Sequence, residues 1–66
     1  MRDIKRIDKV LKVLDDNWKK LPDWRLGQLI CNMQSAAGDD FFYVEDDEFA
    51  DMVEEYVGII TEKGEA

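Results

Sequence analysis

The stretch Trp18–Asn32, WKKLPDWRLGQLICN, decides the fold. It holds both tryptophans, the only proline and the only cysteine of a 66-residue chain. Pro22 pushes the residue before it out of the α region, so a helix arriving from the N-terminal side must end there. Asp23 is a good N-cap type, and Leu26, Leu29, Ile30, Met33 and Ala37 then recur at helical spacing. The stretch therefore reads as the end of one helix, a corner at Leu21-Pro22-Asp23 and the start of a second. Trp24 falls in the first turn of that second helix, where it would close the corner against Trp18 or Leu21. Gly27 costs about 1 kcal/mol against alanine inside a helix, which suggests a close approach of another backbone.

Upstream, Ile4, Ile7, Leu11, Leu14, Trp18 and Leu21 alternate in steps of three and four, with Val10 and Val13 widening the stripe. That is the buried face of an amphipathic helix over about 3–21, with Asp3 at its start and Lys19 and Lys20 near its end. The same stripe could form a coiled-coil seam, but it is shorter than three heptads, so core packing is the better reading. Downstream, Gly38 stops the second helix as its C′ residue. Phe41-Phe42-Tyr43-Val44 has strand propensity but is too short for a sheet, so an extended connector is expected. Edge pairing in a dimer is its alternative. Phe49, Met52, Val53, Tyr56, Val57 and Ile60 mark a third helix, opened by acidic residues around an Asp46 N-cap. Gly58 should loosen its last turn, and residues 61–66 should fray. The expected architecture is a single all-α, compact three-helix domain over 1–66, with helices at about 3–21, 23–37 and 46–61 and room for one short extended segment near 41–44.

Charge is the least ordinary property. The formal net charge is −7, but residues 1–25 sum to +3 and residues 26–66 to −10. From Asp39 to Glu55 there are nine carboxylates in seventeen residues and no Lys or Arg. Direct nucleic-acid binding needs clustered cations, so it is not expected. A basic partner is the natural complement of such a tract. The competing reading is an acidic surface that serves solubility alone. Arg25, at the start of the second helix, faces an unfavourable dipole, and a bridge to the 45–48 cluster is expected.

Enzyme chemistry finds little footing. The chain has no histidine, and Cys31 has no histidine partner and reads as a buried thiol. No glycine-rich phosphate loop, zinc pattern or calcium loop is present, so no catalytic residue, metal site or cofactor is expected. One cysteine excludes an internal disulfide and suits a reducing cytoplasm. No signal peptide and no apolar run of membrane-spanning length is read in the chain.

The motif W-x3-P-D-x-R-x-G-Q-L-I, carried by Trp18, Pro22, Asp23, Arg25, Gly27, Gln28, Leu29 and Ile30, resembles a group of small bacterial and phage-associated proteins without assigned function. The likeness continues through Phe42, Tyr43, Glu45, Asp46, Asp47 and Glu48. It implies a small stand-alone protein of a bacterial cell or mobile element and transfers no catalytic residue. In size and acidity the chain is also similar to phage anti-CRISPR proteins that mimic DNA.

The functional expectation is a non-enzymatic inhibitor whose acidic face occupies a basic, nucleic-acid-binding surface. Asp39, Asp40, Glu45, Asp46, Asp47, Glu48, Asp51, Glu54 and Glu55 would carry the contact. Successive helical turns rise about 5.4 Å, roughly similar to the through-space separation of neighbouring phosphates along a DNA strand. In its most concrete form the protein is an anti-CRISPR that keeps target DNA off an effector subunit in the bacterial cytoplasm. The alternative is a helical protein–protein interaction module, monomer or homodimer, that binds through Trp24, Phe41, Phe42 and Tyr43.

Overall fold

Apolar spacing sets three helices, and short polar or glycine-containing links separate them. The structure, a computed structural model, describes residues 3–62. It is an all-α, three-helix domain: α1 spans Lys5–Trp18, α2 spans Leu26–Ala37 and α3 spans Asp46–Glu62, with a single 3₁₀ turn at Phe41–Tyr43. No strand occurs among the described residues, so the extended connector and the edge-strand alternative at 41–44 are both replaced by that turn. Asp40 explains it: its carboxylate accepts the Phe42 N–H at 3.0 Å, folding the backbone back locally.

The corner forms where proline predicts it, but its edges differ from the spacing-based expectation. α1 ends at Trp18 and passes through tight turns, with Leu21 N–H donating to the Trp18 carbonyl. Leu21-Pro22-Asp23-Trp24 is then a β-turn closed by Trp24 N–H to Leu21 O at 3.0 Å, with proline at its favoured second position. The Trp18 indole N–H donates to the Trp24 carbonyl at 2.7 Å. Asp23 therefore lies in the turn and does not cap α2. Arg25 takes the N-cap position in extended geometry, and the Gln28 side chain accepts its N–H at 2.8 Å.

α3 is the spine. It packs along α1 and against α2, while α1 and α2 barely touch. Arg6 meets Asp46, and Trp24, which is tied to the end of α1, meets Tyr56, so α1 and α3 run in the same direction. α2 returns the other way and delivers Phe41 edge-on to Phe49, ring centroids 5.5 Å apart. Leu21, Leu29, Met33, Val53 and Val57 form the core, and Val13, Leu14, Trp18, Trp24 and Phe41 are among the half-buried residues packed around it.

Only the C-terminal half of the expected stripe is covered: Leu14 and Trp18 are half-buried against the core and Leu21 is fully buried. The side that α1 turns inward carries the half-buried Arg6, Val10 and Val13 and the buried Asn17. Asn17 is tolerated there because its amide donates to the Val13 carbonyl at 2.8 Å. At 3.6 residues per turn, Ile4, Ile7 and Leu11 sit roughly a third of a turn away from that side. They remain 75%, 43% and 56% exposed.

Two glycines predict opposite signs. Gly38 has φ +73°, and its N–H donates to the Gln34 carbonyl, so it is the left-handed residue that ends α2. A Cβ there would meet no neighbour, so Gly38→Ala should cost only the backbone strain, about 1 kcal/mol. Gly27 likewise has nothing within 4 Å of a built Cβ, which removes the expected close approach of another backbone. Gly27→Ala should therefore stabilise, by about 0.5 kcal/mol. Urea midpoints followed by circular dichroism would check both. α3 continues through Gly58 to Glu62, with the Thr61 hydroxyl donating to the Val57 carbonyl at 2.8 Å. The fraying expected for 61–66 is thus not seen at 61–62, and 63–66 lie outside the described residues.

Candidate functional site

α3 turns Ala50, Val53 and Val57 inward. Helical periodicity then spreads Asp47, Glu48, Asp51, Glu54, Glu55 and Glu62 over a broad arc from the flank of that side to its back, and all six are exposed. They share that arc with Gly58 and Ile59 and with no cation. The row from Asp47 to Glu62 is about 22 Å long at 1.5 Å per residue. That is one carboxylate per ~4 Å of axis, near the 3.4 Å per charge of one DNA strand. Glu62 extends the row about two turns beyond Glu55, the last acidic residue expected from the sequence. Its spacing of seven from Glu55 was the available signal.

The remaining acidic residues gather at the start of α3. Asp39, Asp40 and Glu45 are exposed in the link from α2. Asp46 is the first residue of α3 rather than its N-cap, and its carboxylate accepts from Arg6 Nε at 2.6 Å. Both partners are partly solvated, so this pair contributes under about 1 kcal/mol, but it aligns the starts of α1 and α3. Arg6 thus takes the place of Arg25 at this cluster. The carboxylates of Asp46, Asp47 and Glu48 all lie in the first turn, where the helix dipole favours them.

The aromatic candidates divide into two pairs. Trp24 and Phe41 pack against the core, Trp24 with its ring 6.4 Å from Tyr56. Phe42 and Tyr43 are 84% and 79% exposed and stack edge-on against each other, centroids 4.9 Å apart. They stand beside the acidic start of α3. Cys31, expected to be buried, is exposed, because Leu29 and Met33 on either side of it take the inward positions of α2.

Apart from Arg6, two basic side chains in and just after α1 pair locally. Lys12 pairs with Asp16 and Lys19 with Asp15, each one turn away. The hydrogen bond and charge of Asp15 hold the Lys19 ammonium above its ordinary pKa. Among the described residues, no three His, Cys, Asp or Glu side chains converge to hold a metal ion. No helix there is long and apolar enough to cross a membrane.

No protein-family model matches the chain, and no curated protein or solved structure matches it either.

Proposed function

We propose that this protein is a non-enzymatic inhibitor that presents the acidic face of α3 to a basic, nucleic-acid-binding surface of a bacterial protein. The supporting observation is the arc Asp47, Glu48, Asp51, Glu54, Glu55 and Glu62, which holds no cation and whose mean linear charge density approaches that of a nucleic-acid strand. A helix holds these charges at fixed intervals, so a groove shaped for phosphates meets a rigid ligand with little ordering cost. Asp39, Asp40 and Glu45 extend the negative field around the start of the helix and steer encounter. The most specific form of the proposal is a phage anti-CRISPR protein acting in the bacterial cytoplasm, where it competes with target DNA for an effector complex.

The test is competition. Purified CRISPR effector complexes, preincubated with the protein, should lose target-DNA binding at low salt and regain it as salt or excess DNA is added. Unchanged DNA binding across the effectors would remove the anti-CRISPR form. Binding to a nucleic-acid enzyme that neither salt nor DNA weakens would remove the mimic altogether.

A second reading has its own observation. Phe42 and Tyr43 are large, exposed and adjacent, as anchors of a protein–protein contact are. In that reading the protein is a helical interaction module, and Phe42→Ala with Tyr43→Ala would abolish binding that salt leaves intact.

A further inference from the structure

We infer that the hollow between α2 and α3 receives an apolar side chain of the basic partner, one that Lys or Arg residues flank on the partner's own chain. This inference rests on the reading of α3 as a face for a basic partner and adds an anchor point to it. Three observations carry it.

First, packing leaves the hollow open. Ala36 and Ala37, in the last turn of α2, reach no farther than Cβ, and they line it together with Met52, Tyr56 and Ile59 of α3. The buried Met33 also lines it, and Ile59 stays 43% exposed. Second, its volume is about 190 Å³. Small-molecule sites run from about 300 to 1,000 Å³, so this one suits a single large side chain better than a cofactor. Third, charge marks one wall. Glu55 lines the hollow, and Glu48 and Glu62 lie seven residues to either side of it, about 10 Å along the axis. That exposed acidic row runs beside the apolar row of Met52 and Ile59, which share the same spacing of seven. The other wall, α2, holds no charged residue. Among the described residues neither helix carries a Lys or Arg.

Charge decides the occupant. An acidic segment would be repelled by the row Glu48, Glu55 and Glu62, and a wholly apolar one would leave that row unmatched. A leucine- or methionine-like side chain set between Lys or Arg residues fills the hollow and meets the row at once. A second copy serves poorly. It carries a formal net charge of −7, and a symmetric contact through this hollow would set each acidic row against its counterpart. Approach by the cations of α1 is weakened, because Lys12 and Lys19 already pair with Asp16 and Asp15.

The experiment uses three short capped peptides. One carries a leucine between two pairs of lysines, one replaces that leucine with serine, and one keeps the leucine but replaces the lysines with glutamates. Titration followed by methyl NMR gives affinity and location together, read at Ala36, Met52 and Ile59. The leucine–lysine peptide should bind at least tenfold tighter than either other peptide and shift those methyls. Ala36→Met, at an exposed helix position, should fill the hollow and lower the leucine–lysine peptide to the affinity of the serine peptide, whose own binding should not change. Absence of binding, or equal binding of the leucine and serine peptides, would overturn the anchor. Equal binding of the glutamate peptide would overturn the cationic partner. A concentration-dependent dimer in sedimentation, lost on Ala36→Met, would overturn it in favour of a second copy. DNA competition is read separately. Tight leucine–lysine binding by a protein that does not compete with DNA would sink the nucleic-acid mimic and keep the anchored contact, so the two proposals fail separately.

Discussion

Leu29→Ala is expected to unfold most of the protein in plain buffer. Leu29 is fully buried in a core of five such side chains. Truncating a buried leucine to alanine costs 2–5 kcal/mol, counting lost transfer energy and the residual cavity. A domain of this size holds only about 3–5 kcal/mol of net stability from a single core. The two magnitudes are comparable, so the variant sits at or beyond its midpoint without denaturant. There is little to soften the loss. α2 packs on α3, and Leu29 and Met33 are its two buried residues. Neighbouring side chains would need to shift the whole helix to refill the space. Loss of the far-ultraviolet helical signal at room temperature checks this. Ile59→Ala, at an exposed position on α3, is the matched control and should move the urea midpoint little. A Leu29→Ala chain that melts within a few degrees of the parent would mean that α2 is not held by this core.

Where periodicity was unambiguous, the sequence reading located the fold well. α3 has one apolar side and one charged side, so both its buried line and its exposed carboxylates could be read at once. Gly38 could be read because only a left-handed residue completes that helix end without strain. α1 was harder for a physical reason. Its apolar surface runs from Val13 on one side to Leu11 on the other, wider than the contact α3 can make. Counting apolar residues favoured Ile4, Ile7 and Leu11. Packing instead turns Arg6 and Asn17 inward: Arg6 finds Asp46 across the fold, and Asn17 is satisfied within α1 by the Val13 carbonyl. Of these two partners only Asp46 is tertiary, and it leaves no trace in spacing. The same holds at the corner: the bond from the Trp18 indole to the Trp24 carbonyl moves the start of α2 past Asp23, and no local propensity encodes it. Phe41–Tyr43 shows propensity failing for lack of a partner, since a short β-prone run with no strand to pair with yields to the Asp40 turn.

Reversing Asp51, Glu54 and Glu55 together to lysine should abolish competition with DNA while leaving the helix folded. The substitutions change the formal net charge from −7 to −1 and place three cations in the middle of the acidic arc. Against a basic groove, attraction becomes repulsion at each site, and affinity should fall by about a hundredfold or more at low salt. Most of the loss should appear in the association rate, because the arc acts through long-range steering before contact. The salt dependence should flatten as well, since fewer ion contacts remain to be screened. The fold should tolerate the change. All three side chains are exposed, and like charges at helical spacing already repel one another, so their removal relieves a small cost. Solubility responds differently, which separates mimicry from a merely solubilising surface. A net charge near zero promotes self-association whatever the function. A variant that precipitates but still blocks DNA binding, measured on its monomeric fraction, would assign the acidic face to solubility. A monomeric variant that no longer competes, at unchanged helicity, would assign it to recognition.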